Sequence, residues 1–305
     1  MNDNNPIRRA QLISPFGTGS MFVTKYGISV MTACLNLWFK RDDGTMDLKA
    51  IQREEFRINE WRLENALDVD YFLQPPEYRS FNTTGENQNA ELTIPTVRFP
   101  QWHWCPTCHL LYWRELHDRA KRIFCDNCLR DTEWKKGRKK PLVQVPFVAV
   151  CRLGHIEDFP FREWVHERIK PSCNGQLKLK ATGGATLSAQ VVSCSCGASR
   201  PLSNIQGNVS NSDTDTVLSF QMEKGQQYLC EASSPWKGEG RGGVCGYPLR
   251  GALRTASNVY FAKTKSSIYL PQETASVPPE LLALFDEHPV GSIFKLFIVL
   301  VFHKF

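Results

Sequence analysis

The stretch CPTCHLLYWRELHDRAKRIFCDNC, residues 105–128, decides how this chain is read. Its cysteines follow C-x2-C-x16-C-x2-C, at Cys105, Cys108, Cys125 and Cys128. Two such knuckles bring four thiolates to the corners of a tetrahedron, which suits Zn2+ at about 2.3 Å per sulfur. The residues between them supply apolar side chains for two small strands, so a zinc ribbon is expected here. Four cysteine ligands close the coordination sphere against water, which assigns the ion a structural role. A redox pair of CxxC motifs is the alternative, and neither pair sits in a βαβ setting.

Seven more cysteines make a total of eleven. The opening MNDNNPIRRA has no apolar run of the kind that heads a secretory leader, so metal binding is expected rather than a disulfide framework. Cys194 and Cys196 form a C-x-C half-site, and Cys230 with Cys245 supplies a second half, giving a four-cysteine centre that closes the loop 197–229. Cys151 and His155, spaced C-x3-H, draw in Cys173 and His166 as a third or partial centre. A buried thiol beside a hydrogen-bonded histidine is the competing reading for that group. Cys34, in an apolar run, is expected in a core.

Working outward, 305 residues with 42% hydrophobic and 22% charged content describe a globular chain with two or three domains. GISVMTACLNLWF (27–39) reads as a strand and LKAIQREEFRINEWRLENAL (48–67) as a helix. TIPTVRFPQWHW (93–104) and PLVQVPFVAVCRLGHI (141–156) read as extended, and DFPFREWVHERI (158–169) as a helix with Asp158 near its cap. QLKLKATGGATLSAQVVSC (176–194) alternates like a hairpin with Gly183–Gly184 in its turn, and 205–221 reads as a polar loop. The expected fold class is α+β, built of small mixed domains with zinc-ribbon-like, cysteine-stapled β modules. The expected partition is 1–98, 99–141, 142–271 and a tail at 272–305. The tail ends on the apolar SIFKLFIVLVFHKF (292–305). It is shorter than the roughly 18–20 residues of a membrane span. A core element cut short, or translation past a frameshift, is expected there ahead of a buried terminal element or a membrane insertion.

No G-x4-G-K-[ST] and no H-E-x-x-H occurs, and the acidic pairs lack the companions of a nuclease site, so no catalytic residue is assigned. Binding signals are better. Lys135, Lys136, Arg138, Lys139 and Lys140 follow the ribbon directly; such a run can neutralise several phosphates, and a solvated loop is the alternative reading. Arg119, Lys121 and Arg122 extend it, and the net charge of +6 permits nucleic-acid contact. Trp102, Trp104, Trp113 and Trp134 can stack bases or form the module's small core. His103, between two of them, is expected to be packed rather than catalytic. The loop QLISPFGTGS (11–20) lacks the lysine of a phosphate-binding loop and is expected to be a tight turn.

IRRAQLISPFGTGSMF (7–22), RFPQWHWCPTC (98–108), CRLGHIEDFPFREWVH (151–166), GGATLSAQVVSCSCG (183–197), ASNVYF (256–261) and SSIYLP (266–271) occur in that order. In this the chain resembles the DrmB family of the DISARM anti-phage defence system. The resemblance implies a cytoplasmic, non-catalytic accessory subunit, with a DrmA-like superfamily 2 helicase and DNA as partners and no membrane. It also places the SPFGTGS turn at a structural or partner interface. It carries over no catalytic residue. The resemblance also implies that members of that family are longer, and their helicase-associated domain is expected to begin after the point where this sequence ends. A metal-dependent nuclease and a truncated gene fragment are the alternative readings.

Overall fold

The computed structural model describes residues 8–39, 56–75, 94–130, 140–181, 187–210, 212, 214–238, 243, 245–257 and 259–268. In chain order it begins with helix α1 (Arg9–Ile13) and strands β1 (Met21–Val23), β2 (Ser29–Thr32) and β3 (Arg57–Ile58). Helix α2 (Trp61–Leu67) and strands β4 (Phe72–Leu73), β5 (Thr96–Arg98), β6 (Trp102–Trp104) and β7 (Leu111–Trp113) follow. Then come helix α3 (Asp126–Arg130) and strands β8 (Val143–Gln144), β9 (Phe147–Val150) and β10 (Ile156–Asp158). Helix α4 (Phe161–His166), strands β11 (Leu177–Ala181), β12 (Gln190–Cys194) and β13 (Ser199–Pro201), helix α5 (Val217–Phe220) and strand β14 (Arg250–Leu253) complete it. Short helices beside small sheets make this a mixed, sheet-rich fold, as the patterning along the chain implied.

Two compact units are distinguished, and their lines differ from the partition expected above. The described parts of the first are residues 8–17, 39, 56–75 and 262–268. In it, β3 and β4 pair antiparallel with Ile58 opposite Phe72, and the Gln74 amide extends the ladder to the Phe56 carbonyl. Leu63 of α2 packs on Phe72 with Ile58, Leu67 and Val69 around it. The expected helix over 48–67 is therefore confined to α2. Pairing with β4 claims Arg57–Ile58 for a strand, and residues 48–55 lie outside the described residues.

The second unit takes in 18–38 and the described residues of 94–261. It holds four three-stranded sheets, ordered β1-β2-β5, β7-β6-β8, β10-β9-β14 and β11-β12-β13. Alternation explains them locally. In LKLKA, Leu177 and Leu179 are buried while Lys178 and Lys180 face water, the period of two that a half-covered strand requires. Its hairpin partner β12 sets Leu177 opposite Cys194 and Leu179 opposite Val192. The Gly183–Gly184 turn lies outside the described residues. Phe159, Phe161, Trp164, Leu202, Ile205, Leu218 and Met222 form one buried core with these strands.

Three local expectations give way here. Asp158 ends strand β10 instead of capping α4, because its carboxylate accepts the Gln101 amide at 2.8 Å. Residues 205–221 are not simply a polar loop: Ile205, Val217 and Leu218 are buried, and Thr216 caps α5 by accepting from the Ser219 amide. Cys34 is half-buried rather than in a core, its thiol turned to Asn36. The glycine turn is met by Trp236. Gly19 has φ +80°, its amide donates to the Thr32 carbonyl, and a Cβ there would stand 3.5 Å from the indole. The apolar tail lies outside the described residues.

Candidate metal centres

Three sets of cysteine and histidine side chains converge in the second unit, each with its donor atoms within 4.8 Å of one another. They are Cys105, Cys108, Cys125 and Cys128; Cys151, His155, Cys230 and Cys245; and His166, Cys173, Cys194 and Cys196. A tetrahedron of four sulfurs with bonds of about 2.3 Å has edges of about 3.8 Å. The Sγ–Sγ separations match that cage: 3.7 Å for Cys105–Cys128, 3.4 Å for Cys108–Cys125, 3.9 Å for Cys151–Cys245 and 3.7 Å for Cys173–Cys194.

The first centre is the ribbon read from sequence. One knuckle turns between β6 and β7 and the other leads into α3, with Ile123 and Leu142 beneath the thiols. The Thr107 amide donates to Cys105 Sγ at 3.4 Å, and Tyr112 Oη lies 3.0 Å from Cys125 Sγ. Burial opposes ionisation of Cys125, but the Tyr112 hydroxyl and the Cys128 amide outweigh it and hold the thiol at about 7. Donors aimed at sulfur favour the thiolate, the form that ligates metal.

At the second centre, Cys151 and His155 bracket the tight turn between β9 and β10. The Cys151 amide donates to the His155 carbonyl, and Gly154 takes φ +85°. His155 Nδ1 stands 3.5 Å from Cys151 Sγ. Cys245 arrives because β14 pairs with β9, Arg250 opposite Val150, so the chain just before β14 meets the turn just after β9. Cys230 is tied in by the Cys245 amide, which donates to its carbonyl at 3.1 Å, and its sulfur accepts from the Ala232 amide at 3.3 Å. Arg152 covers the Tyr247 ring at 3.9 Å beside the group.

The third centre uses the same logic on the β11–β12 hairpin. With Leu177 opposite Cys194, the residues before β11 lie beside those after β12, and Cys173 meets Cys194 and Cys196. Arg162 of α4 holds the incoming turn through the carbonyls of Cys173 at 2.6 Å and Gly175 at 3.1 Å. His166 donates from Nδ1 to the Arg162 carbonyl at 2.7 Å, which leaves Nε2 facing Cys196 Sγ at 3.4 Å. A carbonyl that fixes the tautomer in this way is the usual outer partner of a ligating histidine. Cys196 is exposed, and the Ala198 amide, then Cys194 and His166, lower its thiol to about 6.

The pairing of Cys194 and Cys196 with Cys230 and Cys245 is thus replaced by two mixed centres. Sequence spacing alone could not separate them, because the deciding contacts are strand registers. Of the basic residues singled out, Lys140 is exposed, as are Arg119, Lys121 and Arg122. Lys135, Lys136, Arg138, Lys139 and Trp134 lie outside the described residues. His103 is buried, at 1% exposure. Trp102 and Trp104 pack against the core, while Trp113 is 52% exposed. Among the described residues no helix is long and apolar enough to cross a membrane.

Residues 8–261 match the family model described as a domain of unknown function, DUF8724. The chain is also 27% identical over 227 residues to the DISARM protein DrmB of Bacillus paralicheniformis, an alignment covering 72% of this chain and 34% of that protein. It therefore spans about a third of the length of the curated relative it matches.

Proposed function

This chain belongs to the DUF8724 family, and we propose that it is a zinc-stapled, non-catalytic accessory component of a DISARM-type anti-phage defence complex in the cytoplasm. The observation that carries the reading is its similarity to the DISARM protein DrmB, taken with a family match over 8–261 that contains all three centres. Thiolate and imidazole donors in sets of four suit Zn2+ and leave no open position for a reacting water, so bound ions serve as cross-links. A set of small three-stranded sheets gains stability from such staples, since metal binding in modules of this kind is folding free energy.

The partners in this reading are a DrmA-like superfamily 2 helicase subunit and DNA. The exposed basic residues Arg119, Lys121, Arg122 and Lys140 support the DNA part, and Lys135, Lys136, Arg138 and Lys139 extend it in sequence. The test is co-expression with the helicase subunit, followed by pull-down and phage plating. Retention of the helicase, protection lost on deleting this chain, and no nuclease activity with Mg2+ or Mn2+ are expected. Plasmid degradation that co-purifies with this chain and requires Mg2+ or Mn2+ would replace this reading with an enzyme.

A further inference from the structure

We infer that Cys196 is a modification site for peroxide-class oxidants, and that its oxidation ends in a disulfide with Cys173 that opens the third centre alone. This rests on the reading of the three centres as zinc sites. The centres differ in how their donors meet water. The first two combine buried with half-buried donors and expose none, whereas the third holds an exposed thiol in Cys196. Exposure and thiolate character together decide which cysteines an oxidant reaches first.

The exposure has a local cause. Cys196 lies in the tight turn that joins β12 to β13, where the Cys194 amide donates to the Ala198 carbonyl at 2.8 Å and the Gly197 amide to the Cys194 carbonyl at 3.0 Å. Gly197 takes φ +99°, and beyond its chain neighbours no atom stands within 4 Å of where a Cβ would be, so the turn is open on that side. Cys194, two residues earlier, is buried in β12 opposite Leu177. An oxidant therefore meets one ligand of this centre without any opening of the core.

A second thiol is at hand. The four donor atoms lie within 4.8 Å of one another, so Cys173 Sγ is within that distance of Cys196 Sγ. Closing a disulfide brings two sulfurs to about 2.05 Å, which asks the backbone to give. Cys194 is held in the ladder with β11, while Cys173 lies before β11 and Cys196 after β12, both outside the strands.

Ligation keeps both sulfurs as thiolates, the nucleophilic form. Cys196 Sγ attacks one peroxide oxygen: an S–O bond forms, the O–O bond breaks, and the departing hydroxide takes a proton from solvent. Cys173 Sγ then attacks the sulfenic sulfur, the S–S bond forms, the S–O bond breaks, and a second hydroxide is protonated. Two thiolates have lost two electrons and the peroxide has become two waters. Cys194 and His166 remain, half of the donor set that a tetrahedral ion requires. Leu177, Leu179 and Val192 stay buried in the core, so the change is confined to the two turns and the His166 end of α4.

The experiment treats the zinc-loaded full chain with hydrogen peroxide and follows released zinc with a chromogenic chelator. Differential alkylation after denaturation, read by peptide mass, assigns each cysteine. About one ion in three is expected to leave in a distinct first phase, with Cys173 joined to Cys196 and the cysteines of the other two centres still free thiols. Dithiothreitol with added zinc should restore the parent count. Cys196→His keeps four donors without the exposed sulfur, and should retain its zinc and lose the first phase. The parent's peptide map decides the matter even where that variant loses its ion. Release of all ions together, a first phase with oxidation at the first or second centre, a first disulfide that omits Cys173 or Cys196, or a first phase that persists in Cys196→His overturns this inference and leaves the zinc reading standing. A parent that binds no zinc overturns both.

Discussion

The carboxamide of Gln144 closes a two-way hydrogen-bonded clasp on the backbone of Ser29, across 115 residues of chain. Its Oε1 accepts the Ser29 amide at 2.7 Å and its Nε2 donates to the Ser29 carbonyl at 3.0 Å. Nε2 also donates to the Pro100 carbonyl at 2.9 Å, so one buried side chain locks β8 to β2 and to the turn before β6.

Gln144→Leu strands those backbone groups in the interior and should lower unfolding stability by about 1–3 kcal/mol. Gln144→Glu should be at least as harmful, since it sets a carboxylate against two carbonyls. Urea midpoints measure both, and an unshifted midpoint in the leucine variant would remove the clasp from any account of stability.

Gly175 belongs to the third centre by shape. A Cβ on it would stand 2.5 Å from Cys194 Sγ, 2.8 Å from Ser195 Oγ and 3.3 Å from Cys173 Sγ. Gly175→Ala is therefore expected to spread two ligands and to lose one bound metal per chain, read by elemental analysis against the parent. Full metal content would show that the turn holds no centre.

The regrouped cysteines are open to a count. The parent should carry about three zinc ions per chain, one for each centre. Cys194→Ser/Cys230→Ser is expected to lose two, because its cysteines serve different ions. Loss of a single ion would restore the spacing-based pairing of 194 and 196 with 230 and 245.

A buried histidine and a partly buried carboxylate give opposed pH dependences. His103 donates from Nδ1 to the Gln101 carbonyl at 2.8 Å, and Nε2 faces Arg98 at 3.5 Å. Burial above all, helped by the Arg98 and Arg114 cations against that carbonyl, holds its pKa down at about 4. The unfolded chain binds this proton more readily, so stability falls as pH drops from about 6.5 towards 4. Burial lifts Asp158 to about 7 against the amides of Gln101 and Trp102. The folded chain keeps that proton, so stability falls as pH rises from about 4 towards 7. Asp158→Asn removes the second effect alone. Relative to the parent it should gain up to about 1.4 kcal/mol for each unit of pH raised between about 5 and 6.5, as metal contributions cancel in the difference. A constant difference across that window, read by chemical denaturation, would contradict it.

The zinc-ribbon spacing, the 176–194 hairpin and the buried place of His103 were legible because each depends on residues close in sequence. Knuckles announce themselves by short spacings, and LKLKA shows its covered face by alternation. The third centre was nearly legible. Once the hairpin sets Leu177 against Cys194, Cys173 can only lie near Cys196, so a register argument would have found it. The helix expected over 48–67 was less so, since β3 depends on a partner strand at Phe72–Leu73.

The amino-acid order by itself determined the donor chemistry: which side chains can ligate, that they suit a thiolate-binding metal, and that the modules around them are small and sheet-rich. Tertiary structure alone decided which donors come together and which cations share a ring. Cys151 and Cys245 meet because β9 pairs with β14, a hundred residues along, and Lys121 reaches the Tyr26 ring from a loop whose carbonyls buried Arg98 holds. Local spacing carries no term for such contacts. They form when burial and hydrogen bonding across the whole core repay the entropy of closing long loops, and that balance is struck only in the folded chain.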